Sequence, residues 1–145
     1  MFIDASAIVS ILTFEEDHAV LLRRLDAAKT QRYVSPLAIF EAVSAIARKS
    51  AIVAGTPVTP QIIEATQEMV AEFVKQIEAK EVMVSADIGR KAITAMQEHG
   101  KLIGAPAQLN FGDCFAYACA KAYRVPLLYK GNDFTHTDLA DGGRE

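Results

Sequence analysis

MFIDASAIVSILTF, residues 1–14, carries one charge, Asp4. Phe2 and Ile3 are apolar and small residues follow at once, so residues 1–4 read as a buried strand that ends on a carboxylate. Residues 5–13 then fit a short helix. Burying a carboxylate without a partner costs on the order of several kcal/mol, so an acid in this position needs an explanation. A strand passing into a helix is also the repeating unit of parallel α/β folds, in which helices cover both faces of the sheet.

The same isolation recurs three times. Glu41 is the only charge in residues 36–47, Asp113 is the only one in residues 106–120, and Asp133 follows the apolar run 125–129. Each acid falls on a different predicted element. Glu15, Glu16 and Asp17 open a helix whose stripe is Val20, Leu21 and Leu25, with acids at the positive end of its dipole. Residues 32–34 read as a strand. Ser35-Pro36 and Thr59-Pro60 are both helix starts, Ser or Thr capping free amides and Pro suiting the first turn. The first of these helices runs to about Val53 before Gly55. The second repeats Ile62, Ile63, Val70, Phe73, Val74 and Ile77 at helical spacing, so the two form a hairpin. Residues 81–85 read as a strand, 86–99 as a helix stopped by Gly100, and 101–109 as a loop. Asn110 caps a helix over 111–123, and residues 125–129 form a fourth strand. A short fifth strand is expected near 137–140. Residues 1–140 are expected to form a single domain and 141–145 a loose tail.

Composition narrows the function classes. The chain has 145 residues, 51% hydrophobic and 23% charged, as expected of a folded domain rather than a disordered one. No run approaches the roughly 18–20 apolar residues of a membrane span. Asp4 sits where a signal peptide would carry basic residues, so a cytoplasmic location is expected. Cys114 and Cys119 lie roughly 140° apart around a helix and read as small buried hydrophobes rather than ligands. A net charge of −3 argues against broad binding to nucleic acid, though not against a nuclease whose own acids hold a cation.

In a parallel sheet, ligands sit beyond the carboxyl ends of the strands where strand order reverses. Asp4 and Asp133 fall at such ends, and Glu41 and Asp113 are expected in the first turns of helices entering from that side. Four acids gathered there could not all stay ionised without a cation. Mg²⁺ or Mn²⁺ suits oxygen ligands, and no His or Cys cluster suggests zinc. Such an ion lowers the pKa of a bound water and stabilises charge on a phosphate, so phosphodiester hydrolysis uses it best. Taken singly, Asp4 could simply cap a helix, Glu41 could pair with a buried Arg, and Asp113 could answer a helix dipole. Their joint placement favours the shared cation.

Four segments resemble the PIN-domain ribonucleases, specifically the VapC-type toxins of prokaryotic toxin–antitoxin pairs. They are Phe2-Ile3-Asp4-Ala5-Ser6-Ala7, Phe40-Glu41-Ala42, Asn110-Phe111-Gly112-Asp113-Cys114 and Leu128-Tyr129-Lys130-Gly131-Asn132-Asp133-Phe134, in the family's order. The resemblance implies a three-layer fold with a parallel five-stranded sheet flanked by helices, and Mg²⁺- or Mn²⁺-dependent cleavage of RNA. It makes Asp4, Glu41 and Asp113 metal ligands, Asp133 the fourth acid, and Ser6 a hydroxyl supporting the site. Many relatives carry Thr where Gly131 stands, which leaves open whether Asp133 acts directly or through water. The resemblance further implies a homodimer and a cognate antitoxin whose amphipathic segment lies beside the active site.

Two other readings are compatible with parts of the chain. A receiver-like signalling module would use Asp87 as phosphoacceptor and Lys130 as its partner, but Asp4 lacks the adjacent acid that such modules need. A PIN-like domain without activity would only bind. His18, His99 and His136 read as surface residues, Tyr117 as a packing residue, and Arg48 and Lys49 as a solvated helix end. Lys130 is placed either for a phosphate contact or for a salt bridge.

Overall fold

A computed structural model describes residues 1–140. Strand β1, Phe2–Ile3, leads through Asp4 into helix α1, Ala5–Leu12, and then α2, His18–Ala27. Strand β2, Tyr33–Val34, is followed by the hairpin of α3, Pro36–Ala54, and α4, Pro60–Gln76. Strand β3, Lys80–Glu81, precedes α5, Ala86–His99, a 3₁₀ turn, Lys101–Ile103, helix α6, Phe111–Tyr123, and strand β4, Leu127–Leu128. All pairings are parallel, in the order β3-β2-β1-β4. The chain therefore builds outward from β1 to β3, then returns to place β4 on the other side of β1. That reversal makes the carboxyl ends of β1 and β4 the switch point.

The helix starts follow from the caps. The side chains of Ser35, Thr59, Ser85 and Asn110 accept the amides of Ala38, Ile62, Ile88 and Asp113 at 3.0–3.3 Å. Each satisfies a donor that the helix itself cannot. Gly55, at φ 67°, closes α3 in the left-handed conformation that glycine adopts without penalty.

Alternation along the strands divides the interior in two. Phe2 and Leu127 point to one face, where they meet Ile88, Ala92 and Ala95 of α5 and Ala116, Cys119 and Ala120 of α6. Ile3, Val34 and Leu128 point to the other, where they meet Ile8, Leu21, Leu25, Ile46, Val70 and Phe73. Cys114 and Cys119 are free and buried, and Tyr117 is packed, as expected. Among the described residues no helix is long and apolar enough to cross a membrane.

Among the described residues the sheet has four strands, not five. The segment expected as a fifth strand closes on itself: the Thr137 amide donates to Phe134 O at 3.1 Å and the Ala140 amide to Thr137 O at 3.2 Å. The Thr137 hydroxyl also donates to Phe134 O, at 2.8 Å. These turns consume the backbone groups that a strand would have offered to β4, while Phe134 and Leu139 are still buried. The third strand is also shorter and earlier than residues 81–85, because Ser85 is committed to capping α5. The expected tail, 141–145, lies outside the described residues.

Candidate metal centre

Asp4 follows β1 directly and is buried. Its Oδ2 accepts the amide of Ser6 at 2.9 Å and also the Ser6 hydroxyl. That hydroxyl in turn accepts the amide of Lys130 at 3.0 Å, just past β4. Ser6 thus ties the carboxyl ends of β1 and β4 together through the side chain of Asp4. Asp113, also buried, is the third residue of α6 and forms a capping box with Asn110. Its Oδ2 accepts the Asn110 amide at 2.9 Å. The simple capping reading of Asp4 therefore describes what it does, Asp113 lies in the first turn of α6 and completes its capping box, and these bonds also fix where both charges sit.

Glu41 lies in the second turn of α3, not the first, because the helix begins at Pro36. Its partner is not a buried Arg. The carboxylate rests instead against Gly112 of α6, so close that a Cβ on that glycine would lie 2.6 Å from Glu41 Cδ. Asp133 sits in the exposed turn beyond β4.

The electrostatics couple these groups. Burial, and then the charges of Asp4 and Asp113, push Glu41 up to about 7. Burial raises Asp113 to about 6, partly offset by its bond from Asn110, with Asp4 and Asp133 adding to the rise. Asp4 is raised by burial foremost, against the bonds from Ser6, and by Asp133 least. Among the described residues no three His, Cys, Asp or Glu side chains already stand close enough together to chelate an ion. The donor set still fits a hard divalent cation: it is all carboxylate, burial disfavours its charges, and among the described residues no lysine or arginine side chain bonds or ion-pairs with any of the four acids.

The nearby cations are engaged elsewhere. Glu15 accepts both Lys49 and Lys130, and Lys130 also lies 3.7 Å from Asp17. Lys130 therefore makes a salt bridge, and Lys49 is not simply a solvated helix end. No sequence signal could have revealed the Glu15 cluster, since its partners lie 34 and 115 residues away. Arg48 is exposed and lines the cleft that opens over the site, about 670 Å³, together with Ser6, Glu15, Glu41, Asn110 and Lys130. Asp87, by contrast, is exposed at the start of α5 and paired with Lys91, so it makes no common site with Lys130. His136 is exposed, while His18 and His99 are half-buried and do not approach the acids through any bond.

The pKa shifts predict an inverted pH dependence for metal-free protein. In the unfolded chain these acids titrate near 3.8 and 4.5, whereas folded Asp113 and Glu41 hold protons to about 6 and 7. Between those limits the folded state binds more protons, so the stability they contribute is full at low pH and lost as pH rises. The Met1 amino group, lowered to about 6 by burial, acts in the opposite sense above that pH. Thermal melts in EDTA should therefore show Tm falling from about pH 4.5 to 6, the reverse of ordinary acid denaturation. Mn²⁺ at neutral pH should raise Tm again.

The PIN-domain family profile matches residues 1–139, and the chain belongs to that family. It is 44% identical over 139 residues to a VapC ribonuclease of Rhizobium meliloti, covering 95% of this chain and 98% of that one. It is 38% identical over 141 residues to the ribonuclease VapC28 of Mycobacterium tuberculosis, covering 96% and 95% of the two chains. The fold is similar to the crystal structure of Mycobacterium tuberculosis VapC20, a sarcin–ricin loop cleaving toxin. There the TM-score is 0.65 at 16% identity, over 92% of each chain.

Proposed function

We propose that this protein is a divalent-metal-dependent ribonuclease that hydrolyses RNA phosphodiester bonds as the toxin of a toxin–antitoxin pair. The observation that carries the reading is the placement of Asp4 at the end of β1, Asp113 in the first turn of α6 and Glu41 against Gly112, where burial foremost holds all three carboxyls above their ordinary range. These three, with Asp133, would hold Mg²⁺ or Mn²⁺. When bound, the ion supplies an acidified water and stabilises negative charge on the phosphate. Ser6 keeps Asp4 oriented, Asn110 keeps Asp113 oriented, and Gly112 leaves room for Glu41. Purified protein should cleave RNA with Mn²⁺ or Mg²⁺ and not in EDTA. A protein that binds RNA but never cuts it would instead support an inactive PIN-like domain.

Asp133 occupies a different setting from the other three. It is exposed, on a turn rather than a strand end or helix. Asp133→Asn should therefore reduce activity mildly and raise the metal concentration needed, where the core substitutions abolish it. Metal titration of cleavage checks this; a variant as inactive as Asp4→Asn would make Asp133 a direct ligand.

The partners of the reading are a second copy and an antitoxin. The hairpin stripe is only partly spent on the core. Ile46 and Phe73 are buried, but Ile63 and Met69 are 44% and 45% exposed. An apolar groove of about 610 Å³ runs between α3 and α4, lined by Ile39, Val43, Ala47, Val58 and Ile63, and it meets the cleft at Phe40, Ser44 and Arg48. An amphipathic antitoxin segment fits there, with an Arg or Lys reaching the acids. Sedimentation at micromolar concentration should show a dimer; a monomer would remove that part of the reading.

A further inference from the structure

Two largely exposed aromatic rings stand beside Glu41 at the rim of the cleft. Phe40 immediately precedes Glu41 and is 72% exposed; Phe111 immediately precedes Gly112, on which the Glu41 carboxylate rests, and is 68% exposed. Both line the cleft over the site. The orientation of Phe111 is held from behind by Phe115, with ring centroids 5.0 Å apart, and from the backbone by the capping box of α6. A large ring left in water yet fixed in place, at the rim of a reactive site, is suited to receiving a flat partner.

The charge pattern says which one. A nuclease ordinarily holds its substrate through many phosphate contacts from a basic surface. This chain carries −3 overall, and of the cleft's two cations Lys130 is already bound to Glu15. Arg48 alone cannot replace an electrostatic groove. Single-stranded nucleic acid has a second handle, since every base offers a face that stacks on an aromatic ring whatever its sequence.

We infer that Phe40 and Phe111 are substrate-positioning residues that stack on the unpaired bases flanking the scissile phosphate of an RNA strand. The inference rests on the ribonuclease reading above and names how that site grips its substrate. The rings would splay the bases to either side of Glu41 and so aim the intervening phosphate at the acids. An RNA segment that is unpaired there would be preferred over a duplex, whose bases are not available to stack.

The chain contains no Trp, so F111W introduces a sole indole at the rim. In EDTA, where nothing is cleaved, a short oligoadenylate should quench its fluorescence, and the same backbone made of abasic spacers should not. In Mn²⁺, F40A and F111A should each raise KM for a single-stranded RNA about tenfold, the scale of one lost base stack. The loss should fall on KM more than on kcat, and F40Y and F111Y should restore it. Equal quenching by the abasic strand, or an unchanged KM in both alanine variants, overturns the proposal. So does a normal KM combined with loss of self-association, which would make the rings protein contacts. A wild-type protein that cuts no RNA in Mn²⁺ defeats the ribonuclease reading instead, and the indole titration then still decides whether bases stack.

Discussion

Asp4→Asn, Glu41→Gln and Asp113→Asn should each cut metal-dependent RNA cleavage by more than about 100-fold, the upper end of what losing even an outer-sphere partner costs. The substitutions keep shape and remove charge. Asn is as good a helix cap as Asp, so α1 keeps the start that Asp4 gives it. The amide oxygen of Asn at position 113 can still accept the Asn110 amide. What disappears is the negative charge that a cation needs. In EDTA at neutral pH the same variants should melt higher than the wild type, because each removes a carboxylate whose charged form burial disfavours, and Asp4→Asn and Asp113→Asn also relieve the repulsion on Glu41. In a chain of this length each kcal/mol so recovered shifts Tm by roughly 3 °C. The pair of readouts separates loss of function from loss of fold: activity falls while stability rises. Full cleavage by any one of the three in Mg²⁺ or Mn²⁺ would sink the assignment.

Much of this was legible in the residues because each device is local. The caps of α3, α4 and α6 act within three residues of their own position, so Ser35, Thr59 and Asn110 could be read directly, whereas Ser85, read as the end of a strand, caps α5. The isolation of Asp4, Glu41 and Asp113 among apolar neighbours survived into the structure as burial or half-burial. What could not be read is what closes over distance. The segment ending at Ala140 buries Phe134 and Leu139, but its hydrogen bonds turn inward, and the residues alone do not distinguish a short strand from a run of turns that buries them. Glu15 looked like one of three acids at a helix start, and its two lysines come from α3 and from the end of β4. The hydroxyl of Ser6 was expected to support the site; of the bonds it makes, to Asp4 and from the Lys130 amide, the second depends on β1 and β4 being neighbours.

Gly112 is an unremarkable residue type in a demanding place, against the Glu41 carboxylate. It is the second residue of α6, buried, with ordinary helical geometry, so its backbone asks for no glycine. The requirement comes from across the fold. A methyl at that position would stand 2.6 Å from both Cδ and Oε2 of Glu41, and nearer still to Oε1. The clash falls on the end of a flexible side chain, which can swing aside without moving either helix. Gly112→Ala should therefore leave the protein folded, and its stability should hold or gain slightly, because Ala is the better helix former by roughly 0.5–1 kcal/mol. Cleavage, however, should fall about 100-fold, the scale expected when a catalytic group is displaced by ~1 Å. Metal binding supplies the decisive control. Mn²⁺ affinity, measured by calorimetry, should drop in Gly112→Ala but change little when the same substitution is added to Glu41→Gln, because both changes act through one carboxylate. A fully active Gly112→Ala would show that Glu41 reaches the metal from a position other than the one it holds against α6, and independent losses in the double variant would place the role of Gly112 elsewhere.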